Sequence, residues 1–345
     1  MQILSLFLAG MKKKVYLRTL KAMKIRTEIG QISRNEWNTL LAMSSVASWF
    51  QSAEAYSFFA SLPHIMRPFV VAVERDKYGL KGVVVGYIPC ERNTFRQYFM
   101  RRAIIIGGPL LADDIQDDEL RTLLLELQKL LAERAIYIET RNFNDYSRWK
   151  KVFAECGFAY QPHYDIHIDC TDKETMWQRI HESKKRAIRK YEKEGWTAVE
   201  ATSAGDVKAF YKQLSQLYRK KIRRPLFDEE FFLQGWQRKV AKLLIIRDKE
   251  GCLQGGIFCP IGCDTLYEWY IVGSIMPTFA ALQYATKEHI ACFDLMGAGE
   301  PNKPYGVRDF KLQFGGELKE YGRFVHITNP CLYSLGKTVI TLLTQ

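Results

Sequence analysis

The sequence predicts an α+β protein built from two copies of the same kind of unit. Both halves show the same order of elements: three strands, a helix, a strand, a helix or loop, and a final strand. Apolar residues make up 47% of the 345 positions, enough for two hydrophobic cores. A repeated order of elements indicates a repeated fold even where residue identity is low. We therefore predict domains at residues 23–170 and 171–345, after a leader at 1–22.

The elements of the first half follow from alternating apolar patterns with turn residues between them. Strands are predicted at residues 24–32, 69–74, 82–89, 103–109, 136–140 and 164–169. Helices are predicted from residue 34 and at 49–61, 117–134 and 146–155. Ser33 is a suitable N-cap for the first helix, Pro63 ends the second, and Gly157 ends the last. This half therefore has its own sheet and its own helices.

The second half repeats this order after a different connecting segment. Strands are predicted at residues 243–247, 255–261, 266–272, 292–296 and 323–328, with a helix at 278–289. We place all five strands in the second domain.

A strongly basic segment separates the two halves. Residues 182–224 carry 13 Lys and Arg against 5 Asp and Glu, within a chain whose net charge is +12. Two helices are predicted here, one ending at Gly195 and one before Pro225. Their basic surface is either a solvated face or a contact for phosphate groups. The candidate phosphate contacts are Lys184, Lys185, Arg186, Arg189 and Lys190.

Motifs of the commonest enzyme classes are missing from the sequence. It contains no GxxxxGK[ST], no GxGxxG after a first strand, no HExxH and no GxSxG. The 8 cysteines include no CxxC pair, which predicts reduced thiols and a cytoplasmic location. The histidines lie at no metal-ligand spacing, since His163 and His167 would be about 13 Å apart on a strand. We therefore predict no metal site and no resident cofactor.

The first ten residues, MQILSLFLAG, are apolar but too short to span a bilayer, and their positive charges follow them rather than precede them. We predict a disordered leader, with Met1, Met11 or Met23 as the start. No other stretch is long and apolar enough for a transmembrane segment.

The stretch FDLMGAGEPNKPYGVRDFKLQFGG, residues 293–316, concentrates turn residues and charge directly after a predicted strand. Gly297 and Gly299 allow sharp turns and close approach of the backbone to a ligand, while two prolines stiffen the loop. A short helix with alternating charged and apolar residues follows. The pattern indicates a ligand-binding loop.

Two patterns carry a resemblance to known families. The order of strand 266–272, helix 278–289 and strand 292–296 resembles the centre of the GNAT N-acyltransferases. A GNAT enzyme usually has a glycine-rich loop before this helix for the pyrophosphate of acyl-CoA, whereas this chain has GSIMPT. Two such units in tandem, with SKKRAIRKYEKEGW and the 293–316 stretch, resemble the FemABX family of aminoacyl-tRNA-dependent peptidyltransferases.

The resemblance implies an α+β fold of two tandem GNAT-like domains, each a mixed, mostly antiparallel sheet flanked by helices. It also implies transfer of an aminoacyl group from charged tRNA to an amine of a peptidoglycan or other cell-envelope precursor, with peripheral contact to a membrane. The five basic residues above then become tRNA contacts. The alternatives are an acyl-CoA-dependent N-acyltransferase and a binding protein that keeps the fold without activity.

The catalytic candidates come from the same resemblance and from the charged residues near the pair that it identifies. The family's Phe-Lys pair falls on Phe310 and Lys311. Lys311 is the candidate cation for a tetrahedral oxyanion, or alternatively a contact for a substrate phosphate or carboxylate. Asp309 is a candidate to orient its neighbours or to accept the proton of the amine, and Glu268 is a second candidate base.

The predicted substrate contacts lie on the central strand and on the 293–316 stretch. The family's substrate-facing tyrosine falls on Tyr267 or Tyr270. The full set of predicted contacts is Tyr267, Tyr270, Tyr305, Arg308, Phe310, Gly297 and Gly299.

Overall fold

The computed structural model describes residues 23–90, 94–99, 101–273 and 275–336. The predicted leader, including Met1 and Met11, lies outside these residues. The described chain forms two compact units. The first takes residues 23–59, 66–160 and 323–336, and the second takes residues 60–65 and 161–322.

The first unit contains one mixed sheet of eight strands. These are β1 (Met23–Arg26), β2 (Met66–Arg75), β3 (Gly79–Pro89), β4 (Arg102–Gly107), β5 (Leu110–Leu111), β6 (Tyr137–Asn142), β7 (Ala159–Gln161) and β16 (Arg323–Ile327). Their order is β1-β2-β3-β4-β6-β16-β7, with β5 beside β3. β4 and β6 run parallel, whereas β1–β2, β2–β3, β3–β4 and β6–β16 are antiparallel.

The second unit contains a sheet of the same kind. Its strands are β8 (Tyr164–Asp169), β9 (Thr197–Glu200), β10 (Ala241–Arg247), β11 (Leu253–Gly262), β12 (Thr265–Tyr267), β13 (Tyr270–Val272), β14 (Cys292–Asp294) and β15 (Glu317–Glu320). Their order is β15-β8-β14-β12-β11-β10-β9, with β13 beside β11. β12 and β14 are the parallel pair. Each unit therefore has a parallel pair within a mostly antiparallel sheet.

Helices flank both sheets. In the first half of the chain they are Arg34–Met43, Ala53–Ala60, Thr94–Phe99, Asp117–Leu131 and Lys150–Glu155. In the second half they are Lys173–Arg179, Glu182–Lys193, Ala204–Leu217, Glu229–Gln237, Ile275–Lys287 and Gly306–Leu312. No helix in the described part of the chain is both long enough and apolar enough to span a membrane.

Each unit has its own hydrophobic core between sheet and helices. In the first unit, Asp117–Leu131 buries leucines at helical spacing, which form one face of an amphipathic helix. These are Leu120, Leu123, Leu124, Leu127 and Leu131. In the second unit, Ile275–Lys287 buries alanines that let the helix lie close to β10, β11 and β14.

Two strands lie in a different sheet from the one predicted. β8, predicted to end the first domain, lies between β14 and β15, and β16, predicted in the second domain, lies between β6 and β7. Their side chains show why. Ile166 and Ile168 are buried in the second core, and Phe324 stacks on Phe153 in the first, with ring centres 4.0 Å apart. The observed division therefore differs from the predicted boundary at residue 170, and we call β8 and β16 the exchanged strands.

Candidate active site

The second sheet opens where its two parallel strands end. β12 and β14 pair with Tyr267 beside Asp294, and the chain leaves both strands after these residues. The N–H of Glu268 donates to the carbonyl of Asp294 at 2.9 Å. Because parallel strands end at the same edge of a sheet, Glu268 and Leu295 start side by side. We call this edge the strand fork.

Lys311 brings a buried positive charge to the strand fork. It lies on the helix Gly306–Leu312, and its Nζ is 3.0 Å from Oε1 of Glu268. The same ammonium donates to three successive backbone carbonyls, those of residues 295–297. An ammonium has three N–H donors, so these acceptors and the carboxylate satisfy them all. Lys311 therefore ties the chain that follows β14 to the residue that follows β12.

Burial decides the electrostatics of this pair. Only 8% of Lys311 and 7% of Glu268 is exposed, so each charge depends on the other for neutralisation. Burial raises the pKa of Glu268, although the neighbouring Lys311 opposes this shift. Buried carboxyl groups with a raised pKa and a specific charged partner are typical of functional sites. The arrangement allows Glu268 to accept a proton beside a fixed positive charge.

Positive φ angles shape the chain that leaves β14, residues 295–305, which we call the glycine loop. Met296, Gly297 and Gly299 have φ angles of 46°, 69° and 82°. A Cβ atom on Gly299 would lie 2.9 Å from the ring of Tyr305, closer than real side chains approach. Because this conformation also disfavours side chains, the path of the loop requires glycine at position 299.

Arg308 fixes the glycine loop through backbone carbonyls. Its guanidinium donates to the carbonyl of Glu300 at 2.9 Å and to that of Lys303 at 2.8 Å. It also lies 5.4 Å from the centre of the Tyr164 ring. Asp309 is exposed, and no hydrogen bond or ion pair among the described residues joins its side chain to Arg308 or to a lysine. Asp309 therefore faces solvent rather than the strand fork.

The two candidate tyrosines of the central strand occupy different environments. Tyr267 is 2% exposed, and burial raises its pKa, with Asp294 adding to the shift. Tyr270 is half-buried, and its ring centre lies 5.0 Å from that of Phe232. Tyr270 therefore presents more of its ring to solvent than Tyr267, which favours Tyr270 as the substrate-facing tyrosine.

The basic helix Glu182–Lys193 turns two of the predicted tRNA contacts inward. Lys184 Nζ lies 3.8 Å from the centre of the Phe310 ring, and burial lowers the pKa of Lys184. Lys185 Nζ is 2.8 Å from Glu182 Oε1 and also donates to a backbone carbonyl. Both side chains are buried beside Ile188, so they are not available to a phosphate backbone. The exposed members of the predicted set are Arg186, Arg189 and Lys190.

A buried polar cluster was not predicted from the sequence. Asp165 and His167 of β8 and Asp294 of β14 bring their side-chain ligand atoms within 4.8 Å of one another. The strand register explains this, because His167 lies opposite Asp294 and Asp165 lies two residues away on the same face. The available signal was the alternation Asp-Ile-His in a strand, which does not reveal the partner strand.

No protein-family model matches this chain, and no curated protein matches it in sequence. Solved structures match its fold. FemX is similar over 90% of this chain and 99% of its own, with a TM-score of 0.68 and 14% identity. L-PGS from Bacillus licheniformis is similar over 91% of this chain and 98% of its own, with a TM-score of 0.56 and 12% identity.

A third solved structure is the C-terminal domain of a protein from Agrobacterium fabrum that is described as a lysylphosphatidylglycerol synthetase. It is similar over 90% of this chain and 95% of its own, with a TM-score of 0.53 and 10% identity. All three similarities cover both units. They confirm the predicted FemABX-like fold of two tandem GNAT-like units.

Proposed function

We propose that this chain is an acyltransferase of the FemABX type, which transfers an aminoacyl group from charged tRNA to an amine of a peptidoglycan or other cell-envelope precursor. The observation that carries the proposal is the buried Lys311–Glu268 pair at the strand fork. In GNAT-like folds the acyl donor wedges between the two parallel strands, which is where this pair lies. The fold shared with FemX supports the same class of reaction.

The reaction is attack of an amine on an ester carbonyl. The amine nitrogen forms a bond to the carbonyl carbon, the ester C–O bond breaks, and the terminal ribose hydroxyl of the tRNA leaves. Glu268 accepts the proton of the amine, which then passes to the departing ribose oxygen. Lys311 binds Oε1 of Glu268, which leaves the second carboxylate oxygen to accept a hydrogen bond from the amine before the proton is transferred.

Lys311 acts from a fixed position in this mechanism. Its contacts with Glu268 and with carbonyls 295–297 hold the base and the glycine loop in one geometry before substrate arrives. In this proposal its charge, rather than an N–H donor, stabilises the carbonyl oxygen that becomes negative, because its N–H groups already bind Glu268 and carbonyls 295–297. A fixed charge in a site without water stabilises such a transition state by about 3 kcal/mol. Asp309, which faces solvent, has no part in this step.

The substrate surface is formed by residues around the strand fork. Tyr270 and Phe310 are half-buried, with Lys184 over one face of the Phe310 ring, while Tyr305 packs on Gly299 and keeps the glycine loop in place. Arg308 positions this loop rather than contacting substrate.

Charged tRNA is the favoured donor for three reasons. The exposed basic residues of the helix Glu182–Lys193 offer contacts for phosphates. The helix Ile275–Lys287 is a poor cradle for the pyrophosphate of acyl-CoA, because Pro277 removes one N–H from its first turn. The name of the Agrobacterium protein, which describes formation of an aminoacylated phospholipid, also supports an aminoacyl donor and an acceptor at the cell envelope.

The test is binding of the purified protein to fluorescent aminoacyl-tRNA, uncharged tRNA and acetyl-CoA in parallel, at low and at moderate salt. We expect salt-sensitive binding that prefers the charged tRNA. Saturable binding of acetyl-CoA without RNA binding would instead make the chain an acyl-CoA-dependent N-acyltransferase. Binding of none of the three would favour a protein that keeps the fold without this activity.

Charge reversal on the exposed basic helix should weaken tRNA binding. The triple variant Arg186→Glu, Arg189→Glu, Lys190→Glu removes up to three phosphate contacts. The slope of log K against log salt should therefore become shallower by about 2 to 3. The measurement is a salt titration of tRNA affinity by fluorescence anisotropy.

The matched control reverses three exposed lysines elsewhere, Lys129, Lys151 and Lys287, whose side chains are 78%, 86% and 80% exposed. It introduces the same change in net charge. An equal loss of slope in both variants would show that net charge, rather than this helix, attracts the RNA.

A further inference from the structure

The cluster of Asp165, His167 and Asp294 has no role in the proposed acyl transfer. Its two carboxylates lie on adjacent strands, and only 3% of Asp165 and 1% of Asp294 is exposed. Two ionised carboxylates that share a buried site repel each other. A positive charge between the two carboxylates removes this repulsion. Two buried carboxylates beside an imidazole therefore suggest that the cluster binds a cation.

Two atoms of the cluster have no hydrogen-bond partner within the described ranges of the chain. They are Nε2 of His167 and Oδ2 of Asp294, both shielded from solvent. The distance between them is 3.4 Å, whereas an N–H···O hydrogen bond spans about 2.7–3.2 Å. Two ligands at about 2.0–2.2 Å from a tetrahedral Zn²⁺ are themselves about 3.4 Å apart. The spacing is therefore that of two ligands of one cation, and it is also that of an ion pair between a protonated His167 and Asp294.

Backbone N–H groups orient both carboxylates. Oδ1 of Asp165 accepts from the N–H of Ile166 at 2.8 Å and from that of Gly297 at 3.0 Å. Oδ1 of Asp294 accepts from the N–H of Met296 at 2.7 Å. Contacts of this kind hold the ligating carboxylates of metal sites in place. One oxygen of each carboxylate is thus fixed, and Oδ2 of Asp294 is left without a hydrogen-bond partner beside His167.

The surrounding charges do not neutralise the cluster. Glu317 and Lys319 lie beside His167 and Asp165 on β15, but they pair with each other at 2.7 Å. They add no net charge at this face of the sheet. The charge of the cluster is therefore balanced within the cluster, either by protons on its own groups or by a bound divalent ion, and the unpartnered Oδ2 of Asp294 favours the ion.

We infer that Asp165, His167 and Asp294 bind a divalent first-row transition ion of the Zn²⁺ class. One imidazole nitrogen with two carboxylate oxygens suits Zn²⁺, whereas Mg²⁺ and Ca²⁺ prefer sites made of oxygen alone. The ion joins the exchanged strand β8 to β14. Through the N–H groups of Met296 and Gly297 it also fixes the start of the glycine loop. This inference is independent of the proposed acyl transfer.

The test uses the full chain after treatment with a chelator, titrated with Zn²⁺ by calorimetry and with Co²⁺ by visible spectroscopy. We expect one ion per chain and an unfolding temperature that rises with Zn²⁺ concentration, but not with Mg²⁺. The exposed thiols Cys252, Cys263 and Cys331 can bind these ions adventitiously. Cobalt distinguishes the two cases, because a thiolate ligand produces an intense near-ultraviolet charge-transfer band that nitrogen and oxygen ligands do not.

Variants decide which residues bind the ion. His167→Gln and Asp294→Asn should each weaken Zn²⁺ binding roughly 100-fold or more, since even supporting residues of metal sites cost 10- to 100-fold. The matched control is Asp169→Asn, which removes an exposed carboxylate from the same strand and should leave binding unchanged. Because His167 lies at the partly exposed edge of the cluster, we expect His167→Gln to fold even if Asp294→Asn does not.

Two outcomes would overturn the inference. Zn²⁺ binding that is equal in the wild type and in His167→Gln would place the ion elsewhere. Absence of binding in the wild type, together with a higher unfolding temperature for Asp294→Asn, would show that the two carboxylates share a proton instead.

Discussion

Replacing Lys311 with methionine together with Glu268→Gln should leave a folded protein whose rate of acyl transfer is about 100- to 1,000-fold lower. The double variant removes both members of a buried ion pair at once. It therefore leaves no isolated charge at the strand fork, but it removes the base and the fixed cation. The measurement is the rate of product formation from charged tRNA at saturating acceptor.

The single variant Lys311→Met should also be less stable. It leaves Glu268 buried without its cation and deprives carbonyls 295–297 of their donor. Breaking a buried pair in this way costs about 3 to 5 kcal/mol of unfolding free energy, and the double variant should recover part of this loss. Urea unfolding of the two single variants and the double variant measures the coupling.

Lys303→Met is the matched control for these variants. This lysine lies on the glycine loop, but its side chain is 69% exposed and pairs with Glu300 at the surface. Its replacement should leave both rate and stability nearly unchanged. Retention of the wild-type rate in the folded double variant would remove the Lys311–Glu268 pair from the mechanism.

The second large effect is expected in the first unit, where Glu139→Gln should lower the unfolding free energy by about 3 to 5 kcal/mol. Glu139 of β6 is 7% exposed and accepts from Arg323 of β16 at 2.6 Å and from Arg141 at 3.3 Å. Glutamine keeps the shape of the side chain but removes the charge that neutralises two guanidinium groups. Urea unfolding near neutral pH measures the loss.

The effect of Glu139→Gln should depend on pH. Burial alone would raise the pKa of Glu139, but Arg141 and Arg323 together bring it below its ordinary value. The stabilisation is therefore complete above the ordinary value of about 4.3 and is lost as the pH falls through the lower value of the folded protein. Wild type and variant should converge in stability in acid.

Glu155→Gln provides the comparison, because Glu155 pairs with Arg121 at 2.6 Å but is 41% exposed. Its replacement should change stability by less than about 1 kcal/mol. If the two variants lose equal stability, the buried Glu139–Arg323 ion pair between β6 and β16 contributes no more to stability than a surface ion pair.

Local patterns in the sequence predicted most of the elements and the nature of each sheet. The leucine spacing of Asp117–Leu131 predicts an amphipathic helix, and the glycines after β14 predict a tight loop. Both patterns act over a few residues, so they can be recognised without tertiary information. One member of the Lys311–Glu268 pair could also be predicted from the sequence, since Lys311 lies between apolar residues. Its pairing with Glu268 depends on two strands ending side by side, and sequence spacing does not encode this.

Contacts between distant segments account for the predictions that differ from the structure. The alternating pattern of β8 does not identify its partner strand, so β8 was predicted in the wrong sheet. The Asp165–His167–Asp294 cluster was not predicted for the same reason, because it forms only when β8 pairs with β14. The basic helix shows a related limit. Lys184 and Lys185 are buried because Phe310 and Glu182 accommodate them, and a charge run does not reveal which of its members face inward.

The exchanged strands also govern the order in which this protein can be made. β7 ends at Gln161, but its neighbour β16 begins at Arg323, so the first sheet lacks an inner strand until nearly all of the described chain has left the ribosome. Until then, β6 and β7 expose unpaired backbone groups to other chains. Such long-range pairing is slow, and its intermediates aggregate readily. Early termination of synthesis therefore yields an incomplete first sheet rather than a usable half-protein, and recovery of intact protein should depend on chaperones that hold the nascent first unit.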